Sequence, residues 1–263
     1  NPKDLNTLLI KIILMPTVIA LVTFASKKWG NSIGGMLASM PWVAGPIILF
    51  IALEQGKTFA VNSIAGVMVG IIGWLAFCIS YILVGKKYNA IISLFAGYLV
   101  YFLIGILLNP VISKFNIFQW LFICFFLLFL GLRFFPKVEN KNEGFKRTLR
   151  FEILLRMLVI TSFVILITYF AKILGPNWSG ILTPFPIMTA VLAIFIHYTQ
   201  GIFQVRKTFM GLFSGIIGFT LFLFLQAILL PLTNLALSFG LGLLVNVAVT
   251  LSMKQVFERL GIM

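Results

Sequence analysis

The sequence predicts an all-α polytopic membrane protein assembled from two copies of one four-helix unit. Three observations predict it. Hydrophobic residues fill 61% of 263 positions and charged residues only 10%, with a mean hydropathy of +1.11, a balance that does not suit a water-soluble domain of this length. Apolar runs of roughly 20 residues, the length a helix needs to cross hydrocarbon, recur along the whole chain. Finally, residues 5–108 shifted by 145 positions fall without a gap onto residues 150–253.

The runs read as nine spans, at about 5–26, 32–54, 59–84, 89–109, 112–134, 151–172, 179–200, 208–231 and 234–253. They lack the alternation of a membrane barrel. Residues 1–26 lack the basic start and small-residue cleavage pattern of a signal peptide. Repeat 1 covers residues 5–109 and repeat 2 residues 150–256; between them lie a linking span at 110–135 and a basic loop at 136–149.

Charge placement supplies the sidedness. Fourteen of the twenty basic residues fall on one side of the nine-span arrangement, including Lys27, Lys28, Lys86, Lys87, Arg133, Lys137, Arg206, Lys207 and Lys254, and four fall on the other: Lys3, Lys57, Lys114 and Lys172. By the positive-inside rule the richer side is cytoplasmic, leaving the N-terminus outside and the C-terminus inside. The net charge of +14 is therefore mainly a topology signal, and no soluble basic face remains to bind nucleic acid. The bilayer is the partner this composition requires, with monomer and homodimer both open.

Parity converts the duplication into a mechanism. Four spans per copy and one linking span place the second copy upside down. Two antiparallel units of one sequence can exchange conformations, which is the logic of many secondary transporters. The expected activity is alternating-access transport of a small anionic solute. A carrier or flippase for an anionic lipid such as a polyprenyl phosphate, and a passive channel, use the same architecture. With no carboxylate pair, metal-ligand cluster or nucleophile motif, an enzyme is not expected.

The expected site lies in spans two and seven. Ser39, Pro41 and Pro46 in the first copy face Thr183, Pro184 and Pro186 in the second. A helix-interior proline removes one backbone hydrogen bond and clashes with the preceding turn, so span seven should break. Irregular backbone at membrane depth is tolerated where protein or a cavity satisfies it, which makes these residues solute-binding candidates. Lys11 and Arg156 are equivalent cations in spans one and six. A cation at a helix centre costs roughly 2.5–3.5 kcal/mol, so the pair either lines the inter-repeat cavity and holds anions or snorkels to headgroups.

Gating and coupling candidates sit where spans two and seven end: Glu54 and Gln55 in one copy, His197 and Gln200 in the other. A coupling proton could use Glu54 or His197; sodium could use carbonyls freed at the breaks. No cofactor is expected. Gly66, Gly70 and Gly73 recur as Gly211, Gly215 and Gly218, a spacing that lets helices approach closely. Cys78 and Cys124 are isolated and read as apolar filler.

The stretch 179–201 begins with Ser179-Gly180, carries Phe185-Pro186 and closes with His197-Tyr198-x-x-Gly201. It resembles the second span of the small GlpM-like bacterial inner-membrane proteins, and the chain resembles two such four-span proteins fused through span five. Span two departs from the pattern, with Met40-Pro41 and Glu54-Gln55-Gly56. The resemblance implies a bacterial inner-membrane location and a four-span unit, but no substrate.

Overall fold

The computed structural model describes residues 7–21, 24, 40–139 and 152–259. Every regular element among them is helical: α1 (Thr7–Leu21), α2 (Ala44–Glu54), α3 (Lys57–Gly85), α4 (Ala90–Leu108), a 3-10 turn at Asn109–Lys114, α5 (Ile117–Arg133), α6 (Glu152–Leu182), α7 (Ile187–Leu232) and α8 (Leu235–Arg259). Five stretches among them are long and apolar enough to cross a bilayer, and three shorter apolar helices accompany them. Large side chains such as Phe95, Phe122, Phe129 and Leu244 lie on the outer surface, more than 60% exposed. That surface suits hydrocarbon rather than water, and the protein is a multi-pass helical membrane protein.

The helices sit around α3, which packs on α2, α4, α5, α6 and α7. Its sequence explains the role, because glycines on one helix allow backbones to meet. A Cβ on Gly66 would lie 2.3 Å from the Asn177 carbonyl oxygen, and one on Gly180 would lie 2.0 Å from that of Ser63. α3 and the end of α6 are therefore in direct backbone contact, which any side chain would prevent. The linking helix α5 docks on α3 in the same way, with Leu75 filling the space over Gly131 and Cys124 Sγ donating to the Met68 carbonyl at 3.6 Å.

Local geometry recurs at the 145-residue offset. Gly56 (φ 92°) and Gly201 (φ 81°) hold the same left-handed extended conformation, open in practice to glycine alone. Asn89 caps α4 by accepting from the Ile92 amide at 3.0 Å, and Asn234 accepts from Leu237 at 2.8 Å. The Phe77 ring covers Gly97, while Phe222 covers Gly242. Each copy thus holds its third helix on its fourth with the same ring-on-glycine contact.

The observed connections differ from the expected ones at three places. Spans six and seven were expected to be separated near 173–178, but α6 runs to Leu182 with a single non-helical residue, Gly175 (φ 72°). Span eight was expected to begin at 208, yet helix resumes directly after Gly201, so Arg206 and Lys207 lie within α7 rather than on a loop. In both cases a glycine redirects the chain in one residue where other residues would need several. Span five begins at Ile117 rather than 112, because the Asn116 and Gln119 side chains form a reciprocal capping box and Pro110 holds the preceding 3-10 turn.

Candidate functional site

The chain leaves helical geometry between Leu182 and Ile187, where Thr183, Pro184, Phe185 and Pro186 form a turn. Proline at 184 cannot donate, so the ladder is rewired: the Thr183 amide donates to Gly180 at 3.0 Å and the Phe185 amide to Leu182 at 3.1 Å. The Ile181 carbonyl accepts from the Tyr101 hydroxyl, and the Thr183 hydroxyl donates to Ser179 at 2.7 Å. Pro186 then caps α7, with its carbonyl accepting from Ala190 at 2.8 Å. In the first copy Pro41 precedes α2, accepting from Gly45 at 2.9 Å, while Pro46 sits in the first turn, where a missing N–H costs nothing.

The two breaks meet. Met40, Val43 and Ala44 from one copy and Thr183, Pro184 and Pro186 from the other line a small cavity of about 70 Å³. Its polar feature is the Trp74 indole, donating to the Thr189 hydroxyl at 3.0 Å. Phe185 anchors the second break, stacked on Tyr98 at 4.9 Å and on Phe163 at 5.2 Å, with Tyr101 edge-on at 5.2 Å. Ser39 lies outside the described residues.

From this centre α2 and the first part of α7 lead away to two counterpart ends. Eleven residues of α2 carry the chain about 16 Å at 1.5 Å per residue. At its end Lys11, only 3% exposed, donates to Glu54 Oε1 at 2.6 Å and to the Thr168 hydroxyl at 2.6 Å. Its ammonium also lies 5.1 Å from the Phe50 ring centre. Thr168 donates in turn to the Val164 carbonyl at 2.8 Å. Lys11 therefore does not snorkel; it joins α1, α2 and α6 through a buried ion pair. One step on, Lys57 donates to the Thr233 carbonyl at 2.6 Å, tying the start of α3 to the end of α7. Gln55 caps α2, half-buried, beside this pair.

The other end is open. Gly201, Gln200 and His197 line a basin of about 480 Å³ together with Lys86, Lys87 and Lys137 and one acid, Glu139. His197 Nδ1 lies 3.2 Å from the buried Tyr81 hydroxyl. The lysines arrive from the end of α3 and from the segment after α5, and Ile202 occupies the position equivalent to Lys57. Charges that mark sidedness in the sequence therefore converge on one mouth. Arg156 stands on α6, but its side chain lies outside the described residues.

The expected solute-binding residues divide into separate places. Pro41, Thr183, Pro184 and Pro186 gather at the central break; Lys11, Glu54 and Gln55 form one end; His197 and Gln200 form the other. No protein-family model, curated protein or solved structure matches the chain.

Proposed function

We propose that the protein is an alternating-access secondary transporter for a small anionic solute, built from inverted four-span repeats in the bacterial inner membrane. Nine spans, an external N-terminus and a cytoplasmic C-terminus belong to this reading, as does kinship with GlpM-like four-span proteins. The observation that carries it is the inequality of the two counterpart ends. One is bolted by Lys11–Glu54–Thr168 and Lys57–Thr233, whereas the other opens as a basin lined by Lys86, Lys87, Lys137 and His197. Two copies of one sequence holding one end shut and one open describe an inward-facing state, and exchange of the two conformations gives the outward-facing state. The cationic mouth concentrates anions by focusing the field.

Counter-transport tests the reading. Purified protein in liposomes loaded with an unlabelled organic acid should accumulate the labelled acid transiently against its gradient, and Pro186→Ala should slow this without preventing insertion. Flux that only follows the gradient, with no exchange, would make the protein a channel. A lipid carrier is favoured by one further feature. An apolar groove of about 630 Å³ runs between α5, α7 and α8, lined by residues such as Phe129, Ile217 and Phe257 with Arg133 at one end, so a chain could enter from the bilayer. Movement of a polyprenyl phosphate between leaflets, without uptake of soluble acids, would establish that alternative.

A further inference from the structure

The linking helix α5 leans on α3 and meets α7 near both of its ends. At one end Phe118 packs edge-on against Phe224, with ring centres 5.4 Å apart. Just past the other, Phe135 packs edge-on against Phe213 at 5.4 Å, and Arg206 Nε donates to the Pro136 carbonyl at 2.8 Å. Between these contacts lies the apolar groove of about 630 Å³, with α8 as its third wall. Phe213, Phe257 and Leu128 give it a buried floor, whereas Phe129 and Val256 stand exposed at its rim, on the surface that faces hydrocarbon.

Depth and charge specify what fits. On α7 the lining runs from Met210 to Leu221, a rise of about 16 Å at 1.5 Å per residue. That is half of a hydrocarbon core about 30 Å thick, and the Phe118–Phe224 contact closes the groove beyond it. The groove therefore admits a chain from one leaflet and offers no path to the other. Arg133, exposed at the end of α5, lines the opposite end, and no acid lines the groove. Its guanidinium lies 5.6 Å from the Phe134 ring centre, at the level where a forked cation can grip a phosphate. A second copy of the chain is the wrong occupant for that end, because 20 basic residues against six acids would bring more positive charge to Arg133. A lipid with a negative headgroup supplies both the chain and the charge.

We infer that the groove between α5, α7 and α8 seats an acyl chain of one anionic phospholipid, with Arg133 holding the headgroup phosphate. Such a lipid bridges the linking helix to the second copy and stays in its own leaflet, held rather than carried. The inference does not depend on the transport reading.

Delipidated full-length protein in micelles, titrated with phosphatidylglycerol or phosphatidylcholine of identical chains and followed by native mass spectrometry and thermal shift, tests it. Phosphatidylglycerol should bind more tightly than phosphatidylcholine and raise the apparent melting temperature more, as a ligand of the folded state does. Arg133→Gln should weaken phosphatidylglycerol about fivefold, the share of one basic residue at an anionic surface, and leave phosphatidylcholine unchanged. Lys114→Gln, beyond the other end of α5, should leave both unchanged. Ile217→Trp, which fills the groove, should weaken both lipids; Val256→Trp at the exposed rim repeats that test in a position that perturbs folding less. The inference is overturned if the two lipids bind alike, if Arg133→Gln loses no more than Lys114→Gln, or if neither tryptophan variant weakens phosphatidylglycerol. Binding of a polyprenyl phosphate without binding of phosphatidylglycerol would also overturn it and give the groove to the lipid-carrier reading.

Discussion

Removing Lys11 tests how the closed end is held. At 2.6 Å and an effective dielectric of about 20, two unit charges attract by about 6 kcal/mol. Taking each out of water costs several kcal/mol, so the intact pair contributes little net stability. The asymmetry appears when one partner is deleted. Glu54→Gln strands an ammonium whose side chain is 4% exposed, and the expected loss is toward the upper part of the roughly 3–5 kcal/mol typical of a broken buried pair. Lys11→Met should cost less, about 3 kcal/mol, because the 16% exposed carboxylate can reach water. The double variant Lys11→Met/Glu54→Gln removes both charges and should lie within about 2 kcal/mol of wild type, since apolar replacement of a buried pair is often neutral. Equilibrium denaturation in mixed micelles, analysed as a double-mutant cycle, reads the coupling directly. Additive single losses, with the double variant as unstable as their sum, would refute a buried pair.

The remaining tests address neighbouring parts. Gly180→Ala must displace a backbone carbonyl that would lie 2.0 Å from the new Cβ, and overpacking of this kind costs about 1–3 kcal/mol; Gly240→Ala, on the exposed face of α8, should leave the unfolding midpoint unchanged. Tyr101→Phe removes the donor to the Ile181 carbonyl freed by the break, with an expected loss of about 1–3 kcal/mol and slower transport. Thr189→Val leaves the buried Trp74 N–H without its partner, and a red- or blue-shifted tryptophan emission together with reduced exchange should report it. Lys86→Gln combined with Lys137→Gln should raise the KM for an anionic solute on the basin side several-fold at low salt and much less at high salt, because exposed charges are screened.

The parts of the fold legible in the sequence are those with local causes. Asn89 and Asn234 mark the starts of α4 and α8 because a side-chain acceptor there satisfies a free amide, and the proline pair marks the break before α7 because proline cannot donate. Gly175 and Gly201 were harder. Only a positive φ distinguishes a glycine that turns the chain in one step from one that lets helices touch, and both types are spaced alike. Lys11 and Glu54 are each legible as polar residues near the ends of spans, but their pairing joins positions 43 apart on different helices. The anchor of Phe185 is legible only in part: Tyr98, Tyr101 and Phe102 have the i, i+3, i+4 spacing of one helix face, but nothing local in the sequence names their shared partner. Lys86, Lys87 and Lys137 mark sidedness in the sequence, but their convergence on a basin requires tertiary structure.

The central claim, that counterpart ends of inverted repeats open in turn, is tested most directly by labelling Ala52→Cys and His197→Cys, which stand at equivalent positions in the two copies. Cys78 and Cys124, both buried, would first be replaced by alanine. With a membrane-impermeant maleimide, His197→Cys should react from the cytoplasmic side while Ala52→Cys, 5% exposed, stays protected. Adding Glu54→Gln should reverse the pattern, exposing Ala52→Cys to the external side and protecting His197→Cys. Reaction of both positions from the same side, or of both ends at once, would contradict inverted repeats that alternate.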